Sequence, residues 1–200
     1  MNYKNSRDEA WQMLIKNRIS VLPVSVQKLC KSERIKLFTY GEGDVLIRKL
    51  GLEEHTAEND AFSIGRRIFY DDTKAVTRQR FSVAHEIGHI VLHCPTEATV
   101  YNREISPSDS PIEHEANIFA SRLLAPLCVL HFLNLNSPEE ISEVCNISMT
   151  AAEIRYKRLC EIRERDKEFR DRTGRGCLLL SPLERKVFEN FKEFIAENKR

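Results

Sequence analysis

Residues 77–93 read TRQRFSVAHEIGHIVLH. Phe81, Val83, Ala84, Ile87, Ile90, Val91 and Leu92 make this stretch apolar nearly all round, so a helix here is expected to be buried. Pro95 stops it at about Cys94. Into this apolar helix the sequence sets His85, Glu86 and His89. Residues four apart share a helix face, so His85 and His89 can offer two imidazole nitrogens to one ion. Glu86 points to the side of that pair. There it can reach a water on the ion but does not easily ligate, which is the physical reason for the H-E-x-x-H spacing. Burying such polar groups unpaired costs on the order of several kcal/mol, and a metal supplies the partners. Gly88 costs about 1 kcal/mol in helix propensity relative to alanine, which suits a place where another backbone or a substrate comes close. The motif arises by chance in about 1% of chains this long, so it needs a third ligand.

The candidates for that ligand lie in IEHEANIFASRLLAP, residues 112–126. Ile112, Ala116, Phe119, Leu123 and Leu124 form the expected buried stripe. Glu113, Asn117 and Ala120 run along its edge at helical spacing, whereas Glu115 lines up with Ile118 and Arg122 on a more exposed side. A carboxylate at the edge of a buried stripe is well placed to ligate, so Glu113 is preferred and Glu115 is the alternative. Asn117 can hold a hydrogen bond to a ligand histidine. Glu113 also suits the helix dipole without any metal. His93 lies eight residues past His85, about 12 Å along a straight helix, too far to join the same ion. It faces the substrate or supports the site from outside, with a role in the core or at the solvent surface as the alternative. His114 reads as a surface residue, and His55 and His131 have no helpful neighbours.

The rest of the chain sets limits. Its 200 residues suit one domain, or one with a small appendage, and a net charge of +1 makes no case for a dedicated nucleic-acid or anionic-membrane binder. The polar start MNYKNSRDEAWQML does not resemble a signal peptide. No apolar run is expected to approach the roughly 20 residues that span a bilayer. Six scattered cysteines form no CxxC pair, which fits small core residues in a reducing, cytoplasmic setting. Helices are expected at 6–19 and 24–31, followed by a strand in RIKLFTY. Residues 41–60 look irregular and acidic, with a short helix. Two strands flank Gly65, the second being Arg67–Tyr70. After the histidine helix and a loop over 95–111, helices follow at about 112–125, 127–134, 138–145 and 149–168. A last helix starts at the N-cap Ser181. This order argues for an α+β fold: a mostly helical body with a small antiparallel sheet beside the buried active-site helix. The first domain, over 1–160, would include a helix-turn-helix-like part at about 137–160, and 161–200 would be a helical extension.

With these segments in place, the chain resembles the ImmA/IrrE family of bacterial zinc metallo-endopeptidases, a minimal gluzincin-like fold. RQRFSVAHEIGHIVLH is similar to the family's R-x-R-F-T-x-A-H-E-x-G-H-x-x-L-H, and EHEANIFASRLLAP to its E-x-E-A-N-x-F-A-x-x-L-L-x-P. The strand RIFYDD precedes the histidine helix as it does in the family. The resemblance covers roughly residues 8–160. Two departures are visible: Ser82 stands for the usual threonine and Ala125 for a common methionine. The resemblance implies zinc on His85, His89 and Glu113, with Glu86 as the catalytic base. It further implies a protein substrate, a DNA-binding transcriptional repressor, often one of a mobile element or a stress response, whose cleavage relieves repression. Tyr70, Tyr101 and His93 are the candidates for steadying the oxyanion. The Arg67–Tyr70 strand is expected at a sheet edge, open to an extended substrate.

Two other readings compete. Residues 137–159, with Arg155, Lys157 and Arg158, loosely suggest a DNA-binding helix-turn-helix, although Glu153, Glu161 and Glu164 interleave with the basic residues. Alternatively, the protein keeps its zinc and acts on a repressor by binding alone.

Overall fold

A computed structural model describes residues 3–93, 110–173 and 180–199. The chain divides into two compact units, one of Met1–Ala10 with Ser25–Ser121 and the other of Trp11–Val24 with Arg122–Arg200.

The first unit is built around a three-stranded sheet of β1 (Lys36–Thr39), β2 (Ala61–Ile64) and β3 (Arg67–Tyr70). The order is β1-β3-β2, with β1 parallel and β2 antiparallel to β3. Two expectations are corrected here. The sheet is mixed, and Arg67–Tyr70 is its central strand, hydrogen-bonded on both sides. The tight turn at Gly65, where φ is 55°, makes the β2–β3 hairpin, as the sequence indicates. Residues 40–66 lie between β1 and β3, a connection long enough for a parallel pairing that the sequence of β1 does not announce.

Strand alternation divides this sheet between two helical layers. On one face the register aligns Phe38, Phe69 and Phe62 in a row across all three strands, with ring centroids 5.4 and 5.1 Å apart. Ile47 and Leu46 of α3 (Tyr40–Leu50) pack against this row. Residues 41–60 are therefore not irregular: they hold α3 and the short α4 (Glu53–Glu58). α3 opens with a capping box, Thr39 Oγ1 accepting from Glu42 N and Glu42 Oε2 from Thr39 N, and closes on Gly51 at φ 66°. Gly43 is required inside it, because a Cβ there would sit 2.6 Å from the Phe69 ring.

The opposite face carries Ser63 and lies against α5 (Val76–His93). Asp60, just before β2, accepts a hydrogen bond from Arg78 Nε at 2.6 Å and ties the strand to the start of this helix. α2 (Val26–Ser32) also packs on α5. With neighbours on several sides, every residue from Ser82 to Ile90 is buried. α1 (Tyr3–Lys16) ends three residues short of the expected Ile19, with Arg18 in the left-handed region.

α6 (Pro111–Leu124) starts in the first unit. Ala116, Phe119, Leu123 and Leu124 are buried as expected, but Ile112 is exposed. The second unit contains α7 (Leu127–Leu133), α8 (Pro138–Cys145), α9 (Met149–Thr173) and α10 (Pro182–Asn198). α10 packs on α7 through Val187, Phe191 and Ile195, all buried. α9 continues through residue 160 without a break. The span Pro111–Leu133 is apolar enough in composition to cross a membrane, but Pro126 divides it and most of its apolar window is buried.

Cys30, Cys128 and Cys145 are buried and in no disulfide, as expected of small core residues. Burial pushes the Cys30 and Cys128 thiols up to about 12, which removes both from thiolate chemistry at neutral pH. Cys94 and Cys177 lie outside the described residues.

Candidate metal centre

α5 presents His85 and His89 one turn apart, and α6 brings Glu113 against them. Ser110 caps α6: its Oγ accepts from Glu113 N at 3.2 Å and its carbonyl from His114 N at 3.0 Å. This places Glu113 in the first helical turn, where the helix dipole favours a carboxylate. The close approach of the two helices depends on Gly88. A Cβ there would lie 3.1 Å from the Phe119 ring and 3.3 Å from the backbone of Ala116.

The three side chains converge. His85 Nε2 lies 2.9 Å from His89 Nε2 and 3.1 Å from Glu113 Oε2, while His89 Nε2 lies 3.2 Å from Glu113 Oε1. All three residues are buried, and their ligating atoms fall within 4.8 Å of one another, a group that could hold a metal ion. Two donors each 2.0–2.1 Å from a tetrahedral ion stand about 3.3 Å apart, close to these spacings. The tautomer points the same way. His85 Nδ1 is 3.0 Å from Asn117 Oδ1, an oxygen that can only accept, so Nδ1 carries the proton. Nε2 of a neutral His85 then turns a lone pair toward the other ring nitrogen and a carboxylate. Acceptors at that distance repel unless a cation lies among them. Two imidazoles and one carboxylate suit a borderline divalent ion. The buried Glu113 carboxyl feels desolvation, which would raise its pKa. Positive charge and hydrogen bonds on the His85–His89 side, carried by a proton where no ion supplies the charge, outweigh that effect and hold it well below the usual carboxylate range.

Glu86 is buried beside His85, and its Oε2 accepts a hydrogen bond from Ser63 Oγ at 2.7 Å. Ser63 escaped the sequence reading. Its one signal was a polar residue in the otherwise apolar strand AFSI, on the face shared with Ala61.

The remaining candidates separate. Glu115 stands away from the cluster, its Oε2 3.9 Å from His93 Nε2. His93 stacks obliquely on His89, ring centroids 5.7 Å apart, and burial followed by the nearby His89 lowers its pKa. Tyr70 ends β3. Burial and the carboxylates of Asp72 and Glu42 raise its pKa, so the phenol keeps its proton. Tyr101 lies outside the described residues. His114 is exposed, with its ring 5.2 Å from that of Tyr3.

The helix-turn-helix-like segment is α8, a left-handed Asn146 and α9. Arg155 is 2% exposed there, and its guanidinium donates to the carbonyl of Ala125. Arg158 pairs with Glu161. Arg155 thus ties α9 to the end of α6 and is not presented to a nucleic acid.

A family model for the Peptidase_M78, or IrrE N-terminal-like, domain matches residues 42–157, more than half of the chain. No curated protein matches it.

Proposed function

The chain belongs to the IrrE N-terminal-like (Peptidase_M78) family of metallopeptidases, and on that premise we propose that it is a zinc-dependent endopeptidase that cuts a DNA-binding repressor and so relieves repression. The observation that carries the metal-dependent part is the convergence of His85, His89 and Glu113 beside a buried Glu86. The repressor as substrate rests on the resemblance to the ImmA/IrrE proteins. A repressor substrate sets the reaction in the cytoplasm, and such repressors are often those of mobile elements or stress responses.

In this reading His85 Nε2, His89 Nε2 and the Glu113 carboxylate hold the ion. Bound there, zinc supplies Lewis acidity: it brings the pKa of a water down toward about 7 and polarises the scissile carbonyl. Asn117 keeps the His85 proton on Nδ1, so that Nε2 stays a ligand. The Glu86 carboxylate accepts the proton of the attacking water and returns it to the leaving amine. The buried surroundings exclude bulk water and strengthen each of these interactions.

Glu86→Gln tests the reading. The variant is expected to keep its zinc and to lose cleavage of the repressor by at least about a hundredfold, the lower range for a general base. Repressor inactivated without any cut, by wild type and Glu86→Gln alike, would show that the protein acts by binding alone.

A further inference from the structure

We propose that Ser63 is a positioning residue for Glu86: its hydroxyl fixes the carboxylate in the place from which proton transfer occurs. This rests on the metallopeptidase reading above.

Ser63 is 1% exposed in β2, between Phe62 and Ile64, which pack into the apolar cluster on the other face of the sheet. A hydroxyl buried in such a strand costs about 1–3 kcal/mol unless it is hydrogen-bonded. Valine or alanine would fit the strand without that cost. The hydroxyl instead donates to Glu86 Oε2 at 2.7 Å, across from strand to helix, with both groups buried.

The geometry explains why a base needs this. A glutamate side chain turns about three bonds, and its helix fixes only the first of its atoms. Proton transfer requires the carboxylate within hydrogen-bond reach of the water in the reacting pose. Groups that lock a functional side chain are most effective on rigid elements. β2 is such an element: it is paired along β3 from Ala61–Tyr70 to Ile64–Arg67, and Asp60 binds it to Arg78 at the start of α5. The sheet thereby sets where the carboxylate stands. One O–H bond uses one of about four lone-pair directions on a carboxylate, leaving acceptor capacity for the transferred proton.

The test compares zinc-loaded wild type, Ser63→Ala, Ser63→Thr and Glu86→Gln. Three properties are measured: the position of Glu86 in crystals, the thermal midpoint with zinc content, and cleavage of a quenched-fluorescence peptide pool. Ser63→Ala is expected to bind zinc as the wild type does and to melt slightly lower, because the buried Glu86 carboxylate loses a donor. Its Glu86 carboxylate spreads over more than one rotamer, and kcat falls about tenfold with KM nearly unchanged, the size expected for one lost hydrogen bond. Ser63→Thr, which keeps the hydroxyl, restores both the single rotamer and the rate. If the alanine variant does not fold, Ser63→Cys, with a much weaker donor, takes its place. A Glu86 that stays in one rotamer without the hydroxyl overturns the proposal, and so does an unchanged kcat. If the wild type cuts nothing in the pool, the crystallographic comparison decides alone. An active Glu86→Gln defeats the underlying assignment of the base, whatever the Ser63 variants do.

Discussion

His85 Nδ1 is held by Asn117, and this bond decides what His85 Nε2 can do. Without it the imidazole is free to take the other tautomer and turn a proton toward the cluster. Asn117→Ala should therefore weaken zinc binding by about 10–100-fold, as lost outer hydrogen bonds to ligand histidines generally do. Competition with a chelator of known affinity measures this, and an unchanged affinity would contradict the role given to Asn117. Most of the centre was legible at this scale. The four-residue spacing gave the histidine pair, and the edge of an apolar stripe gave Glu113 over Glu115. The same helical geometry gave Asn117. Ile112 was misplaced because it points away from the side of the first turn of α6 that buries Glu113. Ser63 was missed because one serine in a strand says nothing of what faces it across 23 residues of chain.

Elements were legible where one pattern dominated. The apolar helix α5 and the C-terminal helices begin and end within a few residues of their signals, apart from α9, which extends to Thr173. α3 was obscured by two glycines, which lower helix propensity, and the capping signature Thr39-x-x-Glu42 was overlooked. Gly43 is there for the ring of Phe69, a tertiary reason that no local pattern carries. The strand order was out of reach for a similar reason. Short strands state their alternation but not their neighbours, and the parallel partner of β3 comes from beyond two helices. The cap itself makes a quantitative claim. Thr39→Ala removes an acceptor from Glu42 N and should cost about 1 kcal/mol of stability in urea unfolding, with zinc content unaffected. A variant as stable as the wild type would mean that packing on the sheet alone sets the start of α3.

Across the whole molecule, the groups assigned to chemistry belong to one unit. Ser63, His85, Glu86, His89, Glu113 and Asn117 all fall within Ser25–Ser121. The second unit carries the segment that loosely suggested DNA binding, and there the buried Arg155 serves the fold. The fold class was readable because the order of helices, strands and helices restricts the architecture. The substrate was not, because recognition of a protein partner depends on surfaces that no spacing rule encodes.

The central claim is that His85, His89 and Glu113 form one metal centre. Its most direct test is zinc per chain in the purified wild type, Glu113→Ala and Glu115→Ala, after zinc is supplied at neutral pH and excess is removed. The account predicts about one zinc in the wild type and in Glu115→Ala, and a marked loss in Glu113→Ala. A wild type without zinc, or a loss that follows Glu115 and spares Glu113, would contradict it.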